Sequence, residues 1–282
     1  MSNAICEVCF RHCSIPEGGT GFCGGRTCKG NKVVAANYGR ITSIALDPIE
    51  KKPLARFHPG SLILSVGSYG CNLRCPFCQN NSISWSSKAM RLADRTEYVS
   101  PDTLAEVAES YRKRGNIGVA FTYNEPLIGY EFVLDTAKKI HARGMKNVMV
   151  TNGTAELTVL RELLPYIDAM NIDLKGFTEH YYSDILDGSL KQVLDFIEEA
   201  AKGCHVELTT LIIPQENDSV EEMREMTAWI AALPDGENIP LHISRFFPQF
   251  HMTDRDATDV SHIYHLAEIA REKLKNVYTG NC

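Results

Sequence analysis

The chain has 282 residues, and its 29 Lys+Arg against 35 Asp+Glu give a formal net charge of -6. That mildly acidic balance argues against nucleic-acid binding by backbone neutralisation, and no apolar run approaches the roughly 20 residues a membrane span needs. No signal-peptide pattern opens the sequence, so a cytoplasmic location is expected, and in a reducing compartment the 10 cysteines are metal ligands more plausibly than bridges.

The first segment reads Cys6-Glu-Val-Cys9-Phe-Arg-His-Cys13, followed by Pro16-Glu-Gly-Gly-Thr-Gly21 and then Cys23 and Cys28. Glycines and a proline exclude a long helix here and suit a knuckle whose backbone wraps a metal. Cys6, Cys9, Cys13 and Cys23 are the expected ligand set, with His12 and Cys28 as substitutes. Zinc and an iron–sulfur cluster both accept four thiolates, so the metal stays open between them. Residues 32–36 and 41–46 are then expected to pair as a hairpin around Asn37-Tyr-Gly39. The proline-bracketed connector Asp47-Pro-Ile-Glu-Lys-Lys-Pro-Leu54 follows, and a boundary near residue 60 divides a head (1–60) from a main domain (61–282).

The apolar run at 62–66 feeds directly into Gly67-Ser-Tyr-Gly-Cys71-Asn-Leu-Arg-Cys75-Pro-Phe77-Cys78. Three thiolates in a CxxxCxxC spacing can hold three irons of a [4Fe–4S] cube and leave the fourth iron open to another ligand. A structural zinc site wants four ligands where this loop offers three. A redox CxxC reading of Cys75 and Cys78 leaves Cys71 without a role.

Beyond this loop the hydrophobic period switches repeatedly between strand and helix. Strands are expected at 62–66, 117–121, 147–150, 169–172, 206–213 and 241–243, with helical stripes between them, one of them Leu190, Val193, Leu194, Ile197 and Ala201. Ser100 and Pro101 make a capped helix start. Alternating β and α of this length implies an α/β fold with parallel strands, here a partial (β/α)6 TIM-like barrel with an N-terminal cysteine-rich extension. Each strand ends in polar residues that a core would not want: Thr122-Tyr-Asn-Glu-Pro126, Thr151-Asn-Gly153, Asp173-Leu-Lys175, Pro214 and Arg245. In parallel barrels that end carries the ligand site. Cys204, His242, His251, His262 and His265 show no metal-like spacing and are expected to be structural, and His180, Tyr181 and Tyr182 to lie in a loop beside the site.

The loop GCNLRCPFCQN resembles the cluster loop of the radical S-adenosylmethionine (SAM) superfamily, with an aromatic, Phe77, before the last cysteine. Taken with the head CxxCxxxC, DPIEKKPL, FTYNEP, TNG, NIDLKGF, HVELTTLIIP and PLHISRFFPQF, the chain is similar to the radical SAM enzyme of the AmmeMemoRadiSam system, a pyruvate formate-lyase activating enzyme-like group. The resemblance implies a [4Fe–4S] cluster on Cys71, Cys75 and Cys78 and SAM at its open iron, reductively cleaved to a 5′-deoxyadenosyl radical that acts on a substrate left unidentified. Asn124 and Glu125 stand at the family's GGE-type motif, which binds the SAM amino group, with Tyr123 and Asn124 in place of its glycines. Thr151 and Asn152 match the activases' TNG element, Asp173 and Lys175 their DLK element, and Ile212 the apolar segment against adenine. Val150 stands where the activases carry an aspartate, and Thr209 where some carry an arginine. A low-potential ferredoxin or flavodoxin, a protein substrate, and AMMECR-type and Memo-type proteins are the implied partners. Two alternatives stay open: a glycyl-radical activase, and a non-catalytic iron–sulfur or zinc protein.

Overall fold

The computed structural model describes residues 3–92 and 96–282. In the head, β1 (Ala4–Ile5) pairs antiparallel with β2 (Ser14–Ile15), and β3 (Arg26–Lys29) with β4 (Lys32–Ala35). The hairpin expected between 32–36 and 41–46 does not form. Gly30 and Asn31 both take left-handed φ, 60° and 58°, which closes a two-residue turn and folds β4 back on β3 instead.

The freed segment, β5 (Ser43–Pro48), pairs antiparallel with β6 (Leu62–Gly67). Parallel to β6 then run β7 (Asn116–Phe121), β8 (Lys146–Thr151), β9 (Ala169–Asp173), β10 (His205–Ile212), β11 (Leu241–Arg245) and β12 (Val277–Gly280). The result is one 8-stranded sheet in sequence order, in which β5 and β12 are open edges, so the barrel is partial. All six expected strands are present. The boundary expected at residue 60 is corrected: β5 lies before it yet belongs to the main sheet, because its alternating residues pair with β6 along its whole length.

Seven α-helices cover the sheet: α1 (Asn81–Ser84), α2 (Pro101–Ser110), α3 (Tyr130–Ala142), α4 (Leu157–Leu163), α5 (Leu190–Ala200), α6 (Val220–Ala232) and α7 (Val260–Arg271), counted among the described residues. The start of α2 follows from its sequence: the Ser100 hydroxyl accepts the Thr103 amide at 3.1 Å, and Pro101 sits where no amide is needed. On α5 the buried stripe is Leu190, Val193, Phe196, Ile197 and Ala200. Phe196 and Ala200 take the core places expected of Leu194 and Ala201, and each large apolar side chain so buried stabilises the fold by about 1.5–3 kcal/mol.

The connector between β5 and β6 is a plug. Ile49 and Leu54 are fully buried and join Ile63, Ala120, Val148 and Ala169, one residue from each of β6 to β9, in a small cluster. Glu207 on β10 accepts the amides of Ala55 at 2.9 Å and Arg56 at 2.7 Å, and the Asn171 side chain donates to the Pro53 carbonyl at 2.8 Å. The floor of the barrel is thereby closed, leaving the C-terminal strand ends as the open face. Among the described residues no helix is long and apolar enough to cross a membrane.

Candidate active site

At the open face the strand ends surround a cavity with about 1700 Å³ of space, part of it open to solvent. Cys71, Cys75 and Cys78 enter it from the loop after β6. The loop turns tightly, with the Cys78 amide donating to the Cys75 carbonyl at 3.2 Å and the Asn81 side chain to the Cys78 carbonyl at 2.9 Å. Gly70, at φ +93°, starts the turn; a Cβ there would lie 2.6 Å from the Cys23 carbonyl oxygen. Burial raises all three thiols, Cys75 to about 11 and Cys71 well above its ordinary value. Without a metal these sulfurs stay protonated, and metal coordination is what deprotonates such groups.

Glu125 lies 3% exposed at the end of β7. Its carboxylate accepts the Leu127 amide at 3.0 Å, the Thr151 hydroxyl at 2.7 Å and the Asn152 amide at 2.8 Å. It therefore caps the following turn and also binds the end of β8. Burial raises its pKa to about 7 against these hydrogen bonds, so a cation beside it would restore its charge. Tyr123 takes φ +73°, a conformation that favours glycine. Its hydroxyl donates to Asp47 at 2.8 Å and Lys52 sits over its ring, contacts that hold a side chain in a glycine-like position. Asn124 uses its side chain on the backbone, accepting from Ser68 and donating to Gly70.

Lys175 and Asp173 pair at 2.7 Å at the end of β9, with Lys175 half-buried in the same cavity as Cys75. Burial lowers the lysine's affinity for its proton, but the charge and hydrogen bond of Asp173 more than reverse this, so the ammonium is held charged. Phe77, Asn124, Glu125, Thr151, Asn152, Asp173 and Lys175 all line the cavity with the three cysteines. Ile212 does not. Strand alternation turns its side chain into the core at 0% exposure, while Thr209 and Leu211 face the cavity.

Other expectations are also corrected. Tyr181 and Tyr182 are buried in a π-helical turn (Tyr181–Ile185), where the Tyr182 hydroxyl accepts the Lys175 amide at 3.0 Å. His180 is exposed and pairs with Asp184. His242 lines the cavity, its Nε2 2.6 Å from Glu207 and its ring stacked on Tyr278. No spacing in the sequence announces that pair; it arises because β10 and β11 are in register. Cys204 points its thiol at the Ala200 carbonyl, away from the cavity.

Residues 65–227 match the family model described as Radical SAM superfamily, a span running from within β6 to within α6 and enclosing the cysteine loop, Glu125 and Lys175. The chain belongs to the radical SAM superfamily. It is 39% identical over 280 residues to an uncharacterized protein of Methanocaldococcus jannaschii, covering 98% of this chain and 80% of that one. Over 182 residues it is 26% identical to the pyruvate formate-lyase 1-activating enzyme of Escherichia coli, covering 61% of this chain and 71% of that enzyme. In fold it is similar to a domain of a pyruvate formate-lyase activating enzyme from Bacteroides vulgatus (TM-score 0.50, 19% identity, 58% of this chain and 98% of that one). It is likewise similar to Streptococcus suis SuiB (TM-score 0.58, 14% identity, 77% of this chain and 48% of that one).

As a radical SAM enzyme the protein uses a [4Fe–4S] cluster and SAM, and the cavity has the donor set for both. Three cysteines face it together, and Glu125 and Lys175 offer opposite charges on its wall. In the head, Cys6, Cys9, Cys13 and Cys23 line a second pocket. The two substitutes stand apart from it. The Cys28 thiol donates to Glu17 at 3.5 Å, and His12 faces Glu156 at 3.5 Å on the surface.

Proposed function

We propose that Cys71, Cys75 and Cys78 ligate the catalytic cluster of this radical SAM enzyme, and that Glu125, Thr151, Asn152, Asp173 and Lys175 hold SAM against it. The observation that carries this reading is convergence: residues from four separate strand ends face one cavity above a closed floor. The cluster, when bound and reduced, supplies the electron that breaks a carbon–sulfur bond of SAM.

The residues divide the work by charge. Glu125 accepts the SAM ammonium, which keeps a carboxylate with a pKa of about 7 ionised in its buried place. Lys175, charged and 2.7 Å from Asp173, faces the SAM carboxylate, and Asp173 keeps its amine from swinging away. Asn124 ties the Glu125 turn to Gly70, so the ammonium site and the cysteine loop keep a fixed separation. Leu211, rather than Ile212, offers the apolar surface for adenine. The plug of Ile49 and Leu54 packs the barrel interior beneath the cavity and confines the reaction to its open face.

A low-potential ferredoxin- or flavodoxin-type protein is the electron donor in this reading, since SAM cleavage needs a potential toward the low end of the iron–sulfur range, roughly −700 mV. AMMECR-type and Memo-type proteins are proposed partners on the motif resemblance. A second reading, activation of a glycyl-radical enzyme, draws on the names of the 26%-identical relatives. Incubating the reconstituted enzyme with SAM, dithionite and a candidate partner separates the two. A glycyl radical signal on the partner supports activation, and 5′-deoxyadenosine without one supports another substrate.

A further inference from the structure

The cavity continues past the residues proposed to hold SAM. Its far wall is made by Thr209 on β10, His242 and Ser244 on β11, and Asn281 just after β12. Thr209 is level with His242 and Leu211 with Ser244, so in these parallel strands those four side chains share the inward face.

His242 is the most constrained of them. Its Nε2 lies 2.6 Å from Glu207, and its ring is stacked on Tyr278 with centroids 5.1 Å apart. Glu207 is fully buried and also accepts the amides of Ala55 and Arg56, contacts that favour its charged form. An ionised carboxylate only accepts, so the ring proton sits on Nε2, and in the neutral imidazole Nδ1 is left as a lone-pair acceptor. Among the described residues that Nδ1 has no protein partner, and neither has the Ser244 hydroxyl or the Asn281 side-chain amide. Polar groups placed in this way on a cavity wall are what orients a bound molecule.

The charges around the cavity are matched by contrast. Glu50 accepts the Gly60 amide at 2.6 Å, and Lys51 lies 3.6 Å from Asp47. Glu125 and Lys175 face SAM in the proposal above. An ionic substrate would find no free counter-charge on this wall, and an unpaired charge is costly to bury.

We propose that this wall is the substrate subsite, that it takes a small uncharged molecule bearing hydroxyl groups, and that His242 Nδ1 accepts a hydrogen bond from one of those hydroxyls. This rests on the placement of SAM proposed for the same cavity. A hydroxyl donates once and accepts twice, so one group can donate to Nδ1 while accepting from Ser244 or Asn281. Gly280, level with Ser244, keeps the approach open, since a Cβ there would lie 3.2 Å from the Ser244 hydroxyl oxygen. Glu207 is a positioning residue, acting through the tautomer and orientation of His242.

The test uses the full chain, reconstituted without oxygen, with SAM, dithionite and an extract of the source organism grown in deuterated water. The extract is divided into macromolecules, small ions held by a mixed-bed ion exchanger, and small uncharged molecules that pass through it. Mass spectrometry of the 5′-deoxyadenosine should find deuterium with the uncharged fraction. Acetylating that fraction's hydroxyls, or replacing His242→Ala, should lower the label about tenfold. Deuterium from the macromolecules or the ions alone, label that survives acetylation, or unlabelled 5′-deoxyadenosine in every arm overturns the proposal. Failure of the SAM reading looks different, because no 5′-deoxyadenosine then forms in any arm. In that case, or where the variant fails to fold, nitrogen NMR of the wild-type chain with 15N-labelled histidine decides. The His242 Nδ1 signal should have the unprotonated position and should move when the uncharged fraction is added. A protonated Nδ1, or a signal that this fraction leaves in place, overturns the assignment.

Discussion

The Cys71 amide and the Cys23 carbonyl meet at 3.1 Å, directly beside Gly70, whose absent Cβ leaves room for that carbonyl. The cysteine-rich head is therefore packed directly against the loop that carries Cys71, Cys75 and Cys78. Gly70→Ala should cost at least about 1–2 kcal/mol for the left-handed backbone alone, with the clash on Cys23 in addition. Urea unfolding would register this as a lower midpoint with unchanged slope. An unaltered midpoint would mean that head and loop are not in contact.

Cys75→Ala removes one of three proposed ligands and the most deeply buried of them. Iron attributable to the catalytic site should be lost, and 5′-deoxyadenosine formation should drop at least 100-fold, or about 2.7 kcal/mol of barrier. Product analysis by mass spectrometry reads this directly.

The pKa of Glu125, raised to about 7, predicts the pH dependence of SAM binding. With Glu125 receiving the SAM ammonium as proposed, affinity should weaken about tenfold per unit as pH falls below 7. In the free protein the sign is opposite. A folded pKa above the ordinary 4.5 gives stability that is fully present below that value and lost as pH rises through about 7. SAM should therefore raise the melting temperature more at pH 8 than at pH 6. Glu125→Gln should abolish both pH effects and weaken binding by about 1.5–3 kcal/mol, as measured by calorimetry.

Glu207 holds the floor. Burial raises its pKa, but hydrogen bonds from His205, His242 and the amides of Arg56 and Ala55 win and bring it to about 2. Its contribution is present above 4.5 and lost as pH falls toward 2. Glu207→Ala leaves two histidines and two amides without their acceptor and should destabilise the fold by about 3–5 kcal/mol, visible as a lower melting temperature.

The sequence shows most of this architecture, for physical reasons that can be named. Parallel strands buried on both faces leave apolar runs, and their polar ends stand out against them, so those six strands and the polar cavity residues directly after them are legible, while His242, Thr279 and Asn281, which also line the cavity, are not. Ile212 was misplaced because an all-apolar run hides which residues face inward. The expected hairpin around Asn37-Tyr-Gly39 does not form because Gly30-Asn31, with left-handed φ at both residues, makes the turn first. The plug formed by Ile49 and Leu54 and the Glu207–His242 pair depend on contacts across the barrel, for which local spacing holds no sign.

Everything rests on three sulfurs that leave one iron open to SAM. The most direct measurement is to reconstitute the full chain without oxygen, add SAM and dithionite, and quantify the nucleoside product against the Cys71→Ala, Cys75→Ala, Cys78→Ala variant. The account predicts 5′-deoxyadenosine from the wild type and none above background from the variant. An iron-loaded wild type that leaves SAM intact, or a variant that cleaves it equally well, would contradict it.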